Sequence, residues 1–297
     1  MNNKFINWLL FILLCLIWGS SFMLMKWGLF DENLQPTLSA YQVAAIRIAS
    51  SGLVMIPFLP KALKGIPKNL IFTVLLSGWL GSFFAAFLFC IAETKIDGAL
   101  AGSLNALTPI FVIITGALFF KSSTSKQKIN GVIIGLVGCA LLTYANYTKP
   151  VAYIAYIGLV ILATFFYGLN VNVVQRKLHG IGSTAIAAVA FVGLLPFALV
   201  ILFYTGYFNL PLSENKYFIS TLSSSVLGIL GTAIASILFY MLVKRAGGLF
   251  ASLVTYGVPF VAIAWGIFYK EEINVIHVFA LSIILLGVYI ANKQKSV

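Results

Sequence analysis

The sequence predicts an all-α membrane protein with ten transmembrane helices in two inverted five-helix repeats. Its composition is the first observation: 61% of the residues are hydrophobic and 9% are charged, whereas about a quarter are charged in an ordinary globular domain. An internal repeat is the second. Trp79-Leu-Gly-Ser aligns with Ile229-Leu-Gly-Thr, and Asn105-Ala-Leu-Thr-Pro aligns with Thr255-Tyr-Gly-Val-Pro at the same offset. A membrane unit duplicated in this way is typical of a transporter.

Ten apolar stretches are separated by charged or turn-rich breaks, and each is close to the roughly 20 residues that one crossing needs. They cover residues 7–29, 38–60, 70–92, 98–119, 129–147, 152–175, 182–204, 222–243, 248–269 and 275–292. The first follows Lys4 and resembles a signal peptide, but it is long enough to span, and its cleavage would leave an odd number of helices. We therefore expect it to remain as the first span.

Residues 1–149 hold the first repeat and residues 150–297 the second, with five spans in each. Five crossings leave the chain on the opposite side of the membrane, so the second repeat is inverted relative to the first. Two such halves can exchange conformations and open a central site to each side in turn. The sequence thus favours alternating access.

The basic residues predict the orientation. If the N-terminus is cytoplasmic, 13 of the 19 lysines and arginines fall in inner segments, and all seven acidic residues fall on the outer side or its margin. This distribution follows the positive-inside rule. We expect a multi-pass protein of the plasma (inner) membrane with both termini in the cytoplasm. The net charge of +12 is then a topology signal, and no nucleic-acid partner is required.

Several short motifs are spread along the two halves of the chain. They are Trp18-Gly-Ser-Ser-Phe with Lys26, Arg47, Pro109, Tyr167-Gly-Leu-Asn with Arg176, and Pro259 followed by Glu271 and Glu272. On these residues the chain resembles the EamA family of the drug/metabolite transporter superfamily over nearly its whole length. The resemblance implies a ten-helix permease that exports small organic metabolites, such as amino acids or amphipathic toxic compounds.

The two halves also differ from each other. Lys121 and Ser122 stand in the first half where the second has Glu271 and Glu272, and the seventh span has no arginine that matches Arg47. An asymmetric substrate path follows from this divergence.

Pro109 and Pro259 are the candidates for gating. A proline inside a helix leaves the carbonyl four residues earlier without its hydrogen bond, which here frees the carbonyls of Asn105 and Thr255. Both of those residues are polar and become candidates for the substrate region. The alternative interpretation is a packing kink of the kind that is common in membrane helices.

Trp18, Ser21 and Phe22 share one helix face in the first span, and Tyr167 and Asn170 align with Trp18 and Ser21 in the sixth. Polar side chains within a span tend to face protein or water. One interpretation is therefore a cavity wall that suits an amphipathic or aromatic solute. The other is packing or contact with lipid.

Inserting an arginine such as Arg47 at the centre of a span costs about 2.5 to 3.5 kcal/mol of free energy on insertion scales. No carboxylate lies within a span to pair with it. It either holds carbonyls at a helix break or binds a carboxylate or phosphate of a substrate. Lys26, nearer the outer interface, either lines the same cavity or extends to the interface.

Since every acidic residue lies at or beyond a span end, proton antiport through a central carboxylate is disfavoured, with Glu93 and Glu271 as the only exceptions. No zinc-protease, serine-hydrolase or nucleotide-binding motif is present, so we expect no enzyme, catalytic residue, metal or cofactor. The expected partners are a small-molecule substrate and the bilayer. Glycines spaced by three or four residues fit packing within one chain or in a homodimer. A lipid or lipid-linked headgroup translocase is the alternative function.

Overall fold

The computed structural model describes residues 3–122, 125–144, 151–271 and 275–292, and these residues form helices joined by short loops. The only extended pairing among them is an isolated bridge between Phe30 and Pro36. The helical stretches are α1 (Asn3–Leu29), α2 (Ala40–Gly65), α3 (Lys68–Ala92), α4 (Gly98–Phe120), α5 (Lys126–Tyr144), α6 (Val151–Lys177), α7 (Ser183–Tyr204), α8 (Asn215–Ala246), α9 (Gly248–Phe268) and α10 (Val275–Asn292). The all-helical prediction is confirmed.

Eight of these stretches in the described part of the chain are long and apolar enough to cross a membrane. The chain is therefore an integral, multi-pass membrane protein. The apolar parts of α5 and α10 are shorter, covering Ile129–Gly138 and Val275–Gly287. The predicted end of the fifth span at residue 147, the repeat boundary at 149/150 and Glu272 lie outside the described residues.

Two helices are broken near the middle of the bundle. The helix of α4 ends at Asn105 and restarts at Thr108, and that of α9 ends at Ser252 and restarts at Val254. Pro259 lies inside the restarted helix as predicted, whereas Pro109 is in the first turn of its half-helix. The prediction of an in-helix proline is thus wrong for Pro109, because a first turn needs no N–H donor at that position.

Short π-helical turns interrupt α3 at Trp79–Phe83 and α8 at Leu227–Ile234. These segments contain the repeated Trp79-Leu-Gly-Ser and Ile229-Leu-Gly-Thr motifs, so the sequence repeat is also a repeat of local structure. A π turn widens the helix and changes the directions of the side chains around it, and such turns are frequent at functional sites. In both halves the widened turn faces the centre of the bundle.

Glycines allow close contacts between α5 and α10. A Cβ atom on Gly287 would lie 2.7 Å from the carbonyl oxygen of Gly131, and one on Gly138 would lie 2.8 Å from Ile284. Glycine spacing in the fifth predicted span therefore serves packing within the chain. Around the centre, α1 packs on α8 and α9, while α6 packs on α3 and α4.

Candidate functional site: a central cavity

A central cavity with about 790 Å³ of atom-free space, part of it open to solvent, lies among seven helices. Eight of the nine side chains that the sequence predicts for a cavity line it: Trp18, Ser21, Phe22, Arg47, Asn105, Tyr167, Asn170 and Thr255. The remaining lining residues are Met25, Gly81, Ser82, Phe89, Thr108, Val171, Gly231, Thr232, Ser236, Phe239, Tyr240 and Ser252. The two helix breaks and the two π turns meet at this point.

Arg47 is the cation of the cavity wall, and only 7% of it is exposed. Its Nε donates a 2.7 Å hydrogen bond to Oγ1 of Thr232, a residue of the π turn in α8. The hydroxyl of Tyr167 faces the same guanidinium. Within the described residues no carboxylate forms an ion pair with Arg47, so its fork of N–H donors can receive an anionic group.

Close approach of α2 to α8 holds Arg47 in place. A Cβ atom added to Gly228 would collide with Oγ of Ser50 and with the Arg47 carbonyl. Glycine is therefore needed here for the two helices to pack. Since Gly228 lies one turn before Thr232, the same π segment permits the approach and supplies the hydrogen-bond partner.

Aromatic rings form another wall of the cavity. The indole of Trp18 packs on Phe239 with a 5.0 Å centroid separation, and its Nε1 donates to the Gly231 carbonyl at 3.1 Å. Phe89 lies between Phe22, at 5.9 Å, and Tyr167, at 6.0 Å. These contacts fix the rings, and their faces suit an apolar or aromatic part of a solute.

Ser21 and Asn170 occupy matching positions in the two halves. Asn170 packs against Gly81, and Ser21 packs against Gly231, so each contacts the π-turn glycine of the opposite half. Oδ1 of Asn170 also accepts a hydrogen bond from Ser77 at 2.8 Å. The pseudo-symmetric contacts place one polar side chain from each half on the cavity wall.

The helix breaks contribute further polar groups. Oγ1 of Thr108 donates to the Asn105 carbonyl at 2.8 Å, and Oγ1 of Thr255 donates to the Ser252 carbonyl at 2.8 Å. Side-chain hydroxyls thus satisfy carbonyls that the broken helices leave open, as a low-dielectric setting requires. The amide of Asn105 remains on the cavity wall.

Lys26 does not line this cavity. Its ammonium forms a 2.9 Å ion pair with Oε1 of Glu271, and Oε2 of the same carboxylate accepts the backbone N–H of Ala99 at 3.1 Å. The structure therefore places Lys26 in an ion pair outside the lining of this cavity. Its position near the end of α1 brings it to Glu271 in the segment after α9, which the sequence alone cannot place beside it.

Sequence reasoning missed Ser82 and Thr232, although the signal was present. These two residues end the repeated Trp79-Leu-Gly-Ser and Ile229-Leu-Gly-Thr motifs, and both line the cavity. Phe89, Phe239 and Tyr240 were also missed. Aromatic residues are so frequent in this chain that their side-chain directions need the structure.

A bundle of apolar helices that encloses a polar and aromatic cavity at paired helix breaks is the architecture of a membrane transporter. The chain belongs to the EamA-like transporter family, whose model matches residues 6–144 and again residues 154–293. The family resemblance proposed from the motifs is confirmed.

Two similar proteins match nearly the whole chain. An uncharacterized transporter of Archaeoglobus fulgidus is 25% identical over 295 residues, which cover 97% of this chain and 99% of the relative. A crystal structure of a protein with 16% sequence identity superposes with a TM-score of 0.62 and covers 96% of both chains. At that identity the crystal structure supports the fold alone.

Proposed function

We propose that this protein moves small organic solutes, such as amino acids or amphipathic compounds, across the membrane by alternating access, and that the solute binds in the central cavity. The observation that carries the proposal is the pairing of Arg47 with an aromatic wall in one cavity. A buried guanidinium with free donors suits a carboxylate or phosphate, and the rings around Trp18 and Tyr167 suit an apolar body. Outward movement is the direction that the family resemblance implies.

The topology in this proposal is ten crossings in two inverted repeats. Helices α5 and α10 contain 19 and 18 residues, and a helix of this length extends about 27 to 29 Å, close to the hydrocarbon thickness of about 30 Å. The family model also matches twice along the chain, and the two π turns occur at corresponding places. The basic residues then put both termini on the cytoplasmic side of the plasma membrane.

Gating in this proposal uses contacts at the two ends of the bundle. At the outer end, the Lys26–Glu271 pair joins α1 to the segment after α9. At the inner end, Arg176 donates to Oγ of Ser122 at 2.6 Å and joins α6 to the segment after α4. Each contact is made by the segment after a helix that carries Pro109 or Pro259. Bending at the helix breaks can therefore open one end of the bundle while the other end closes.

Counterflow in proteoliposomes tests the function. The purified chain would be assayed with a panel of amino acids, nucleosides, organic anions and organic cations. We expect saturable counterflow of one solute class, its loss in Arg47→Ala, and its retention in Lys64→Ala, which removes an exposed cation that does not line the cavity. Flux of a fluorescent phospholipid without flux of any soluble compound would overturn the proposal in favour of lipid translocation.

A further inference from the structure

Glu93, the residue directly after α3, is buried, and one oxygen of its carboxyl group has no hydrogen-bond partner. It is 6% exposed. Among the residues that the structure describes, its Oε1 is the one buried side-chain nitrogen or oxygen atom that has no hydrogen-bond partner. An ionised carboxylate in such a place is costly unless it is paired. The neutral acid avoids most of that cost.

Four charged groups on neighbouring elements act electrostatically on Glu93. They are Lys26 on α1, Arg47 on α2, Asp97 at the start of α4 and Glu271 after α9. Cys90 lies one turn earlier on the helix of Glu93, and Tyr167 approaches Cys90 from α6. Two cations and two carboxylates already balance in formal charge, so an ionised Glu93 would leave this partly buried group with one excess negative charge.

We propose that Glu93 is the proton-binding site of this protein, and that its ionised form competes with Glu271 for Lys26. On release, the O–H bond of the Glu93 carboxyl breaks and the proton passes to water. The carboxylate that remains restores its local charge balance by attracting the Lys26 ammonium away from Oε1 of Glu271. A bound metal cation is a poorer occupant, because Lys26 and Arg47 would repel it.

Loss of the Lys26–Glu271 pair would loosen one end of the bundle. Glu271 also holds the N–H of Ala99, so its carboxylate ties α1 to the start of α4 and the end of α9. Protonation of Glu93 therefore favours the closed outer end, and proton release favours its opening. Coupling of transport to a proton gradient follows from this, and that part of the inference depends on the transport function proposed above.

Proton binding can be measured without a known solute. The full chain in lipid nanodiscs would be titrated from acid to alkaline pH by infrared difference spectroscopy, which detects the carbonyl stretch of a protonated carboxyl group. We expect a buried-acid band that disappears on raising the pH, is absent in Glu93→Gln, and persists in Asp97→Asn. In Glu271→Gln the band should disappear at a lower pH than in the wild type, because Lys26 loses its partner and is free to pair with the Glu93 carboxylate. Glu93→Met, which has a similar volume, replaces Glu93→Gln if the latter does not remain monodisperse. A wild-type spectrum without this band, or a Glu93→Gln spectrum that retains it, would overturn the assignment.

Coupling is tested separately in proteoliposomes loaded with a pH-sensitive dye, using the solute that shows counterflow. Wild-type protein should move protons together with solute flux, while Glu93→Gln should retain counterflow and lose the proton flux. Proton flux that survives in Glu93→Gln would overturn the coupling role. Absence of wild-type counterflow would instead contradict the transport proposal, while the infrared band would still decide whether Glu93 binds the proton.

Discussion

Replacement of Arg47 by alanine should weaken the binding of an anionic solute far more than that of its neutral analogue. The guanidinium donates from Nε to Thr232 and also faces the Tyr167 hydroxyl, and its remaining N–H groups are available to a carboxylate. Each hydrogen bond to a charged group contributes about 1.5 to 3 kcal/mol, so a two-bond contact contributes about 3 to 6 kcal/mol. Since every 1.4 kcal/mol corresponds to roughly tenfold, we expect a loss of affinity of at least about a hundredfold.

The assay compares the transported acid with its amide in wild-type, Arg47→Ala and Arg47→Lys proteins. The acid should lose its affinity in Arg47→Ala and recover part of it in Arg47→Lys, because lysine restores the charge without the planar fork. The amide should respond weakly to either change. Thermal unfolding should shift little, since Oγ1 of Thr232 also donates to the Leu227 carbonyl at 3.3 Å. Equal losses for the acid and the amide, or a large drop in unfolding temperature, would refute a solute-binding role and assign Arg47 to structure.

Three further predictions concern the packing and the contacts at the cavity and the outer end. Gly228→Ala should destabilise the fold by about 1 to 3 kcal/mol, because the added methyl group meets Ser50 and the Arg47 backbone. The control is Gly158→Ala, which has open space around it and should be neutral or slightly stabilising in thermal unfolding. A double-mutant cycle of Lys26→Met and Glu271→Gln should give a coupling energy of about 1 to 3 kcal/mol, since the carboxylate is only 6% exposed. The same cycle on the exposed Lys216–Glu214 pair should give less than about 1 kcal/mol. Equal coupling energies for the two pairs would contradict a stabilising, buried Lys26–Glu271 contact. Trp18→Phe should lower stability by about 0.5 to 1.5 kcal/mol through loss of the hydrogen bond to Gly231, and unchanged unfolding would show that this bond does not hold the ring.

Much of the site follows from the sequence because the repeat relates its two halves. Trp18 and Tyr167 were predicted from their matching positions, and both line the cavity. Arg47 was predicted from its cost in the bilayer, and its low exposure agrees with a buried position. Periodicity and composition are local properties, so they identify these residues without any tertiary information.

The remainder depends on how the halves pack. The partner of Lys26 is 245 residues away along the chain, and no pattern in the sequence links the two. The helix break that moves Pro109 into a first turn depends on the hydroxyl of Thr108, which bonds the Asn105 carbonyl. The π turns, which bring Thr232 to Arg47, leave no signature in hydropathy because they change the phase of a helix and not its composition.

Blocking the cavity chemically tests the central claim most directly. Ser236, which lines the cavity, would be changed to cysteine in a chain whose Cys15, Cys90 and Cys139 have been replaced. The matched control is a single cysteine at Leu118, which is 69% exposed on the outside of α4. We predict that a bulky thiol reagent abolishes solute counterflow in the Ser236→Cys protein and leaves the Leu118→Cys protein active. Full counterflow through a protein labelled stoichiometrically at Ser236→Cys would contradict solute passage through this cavity.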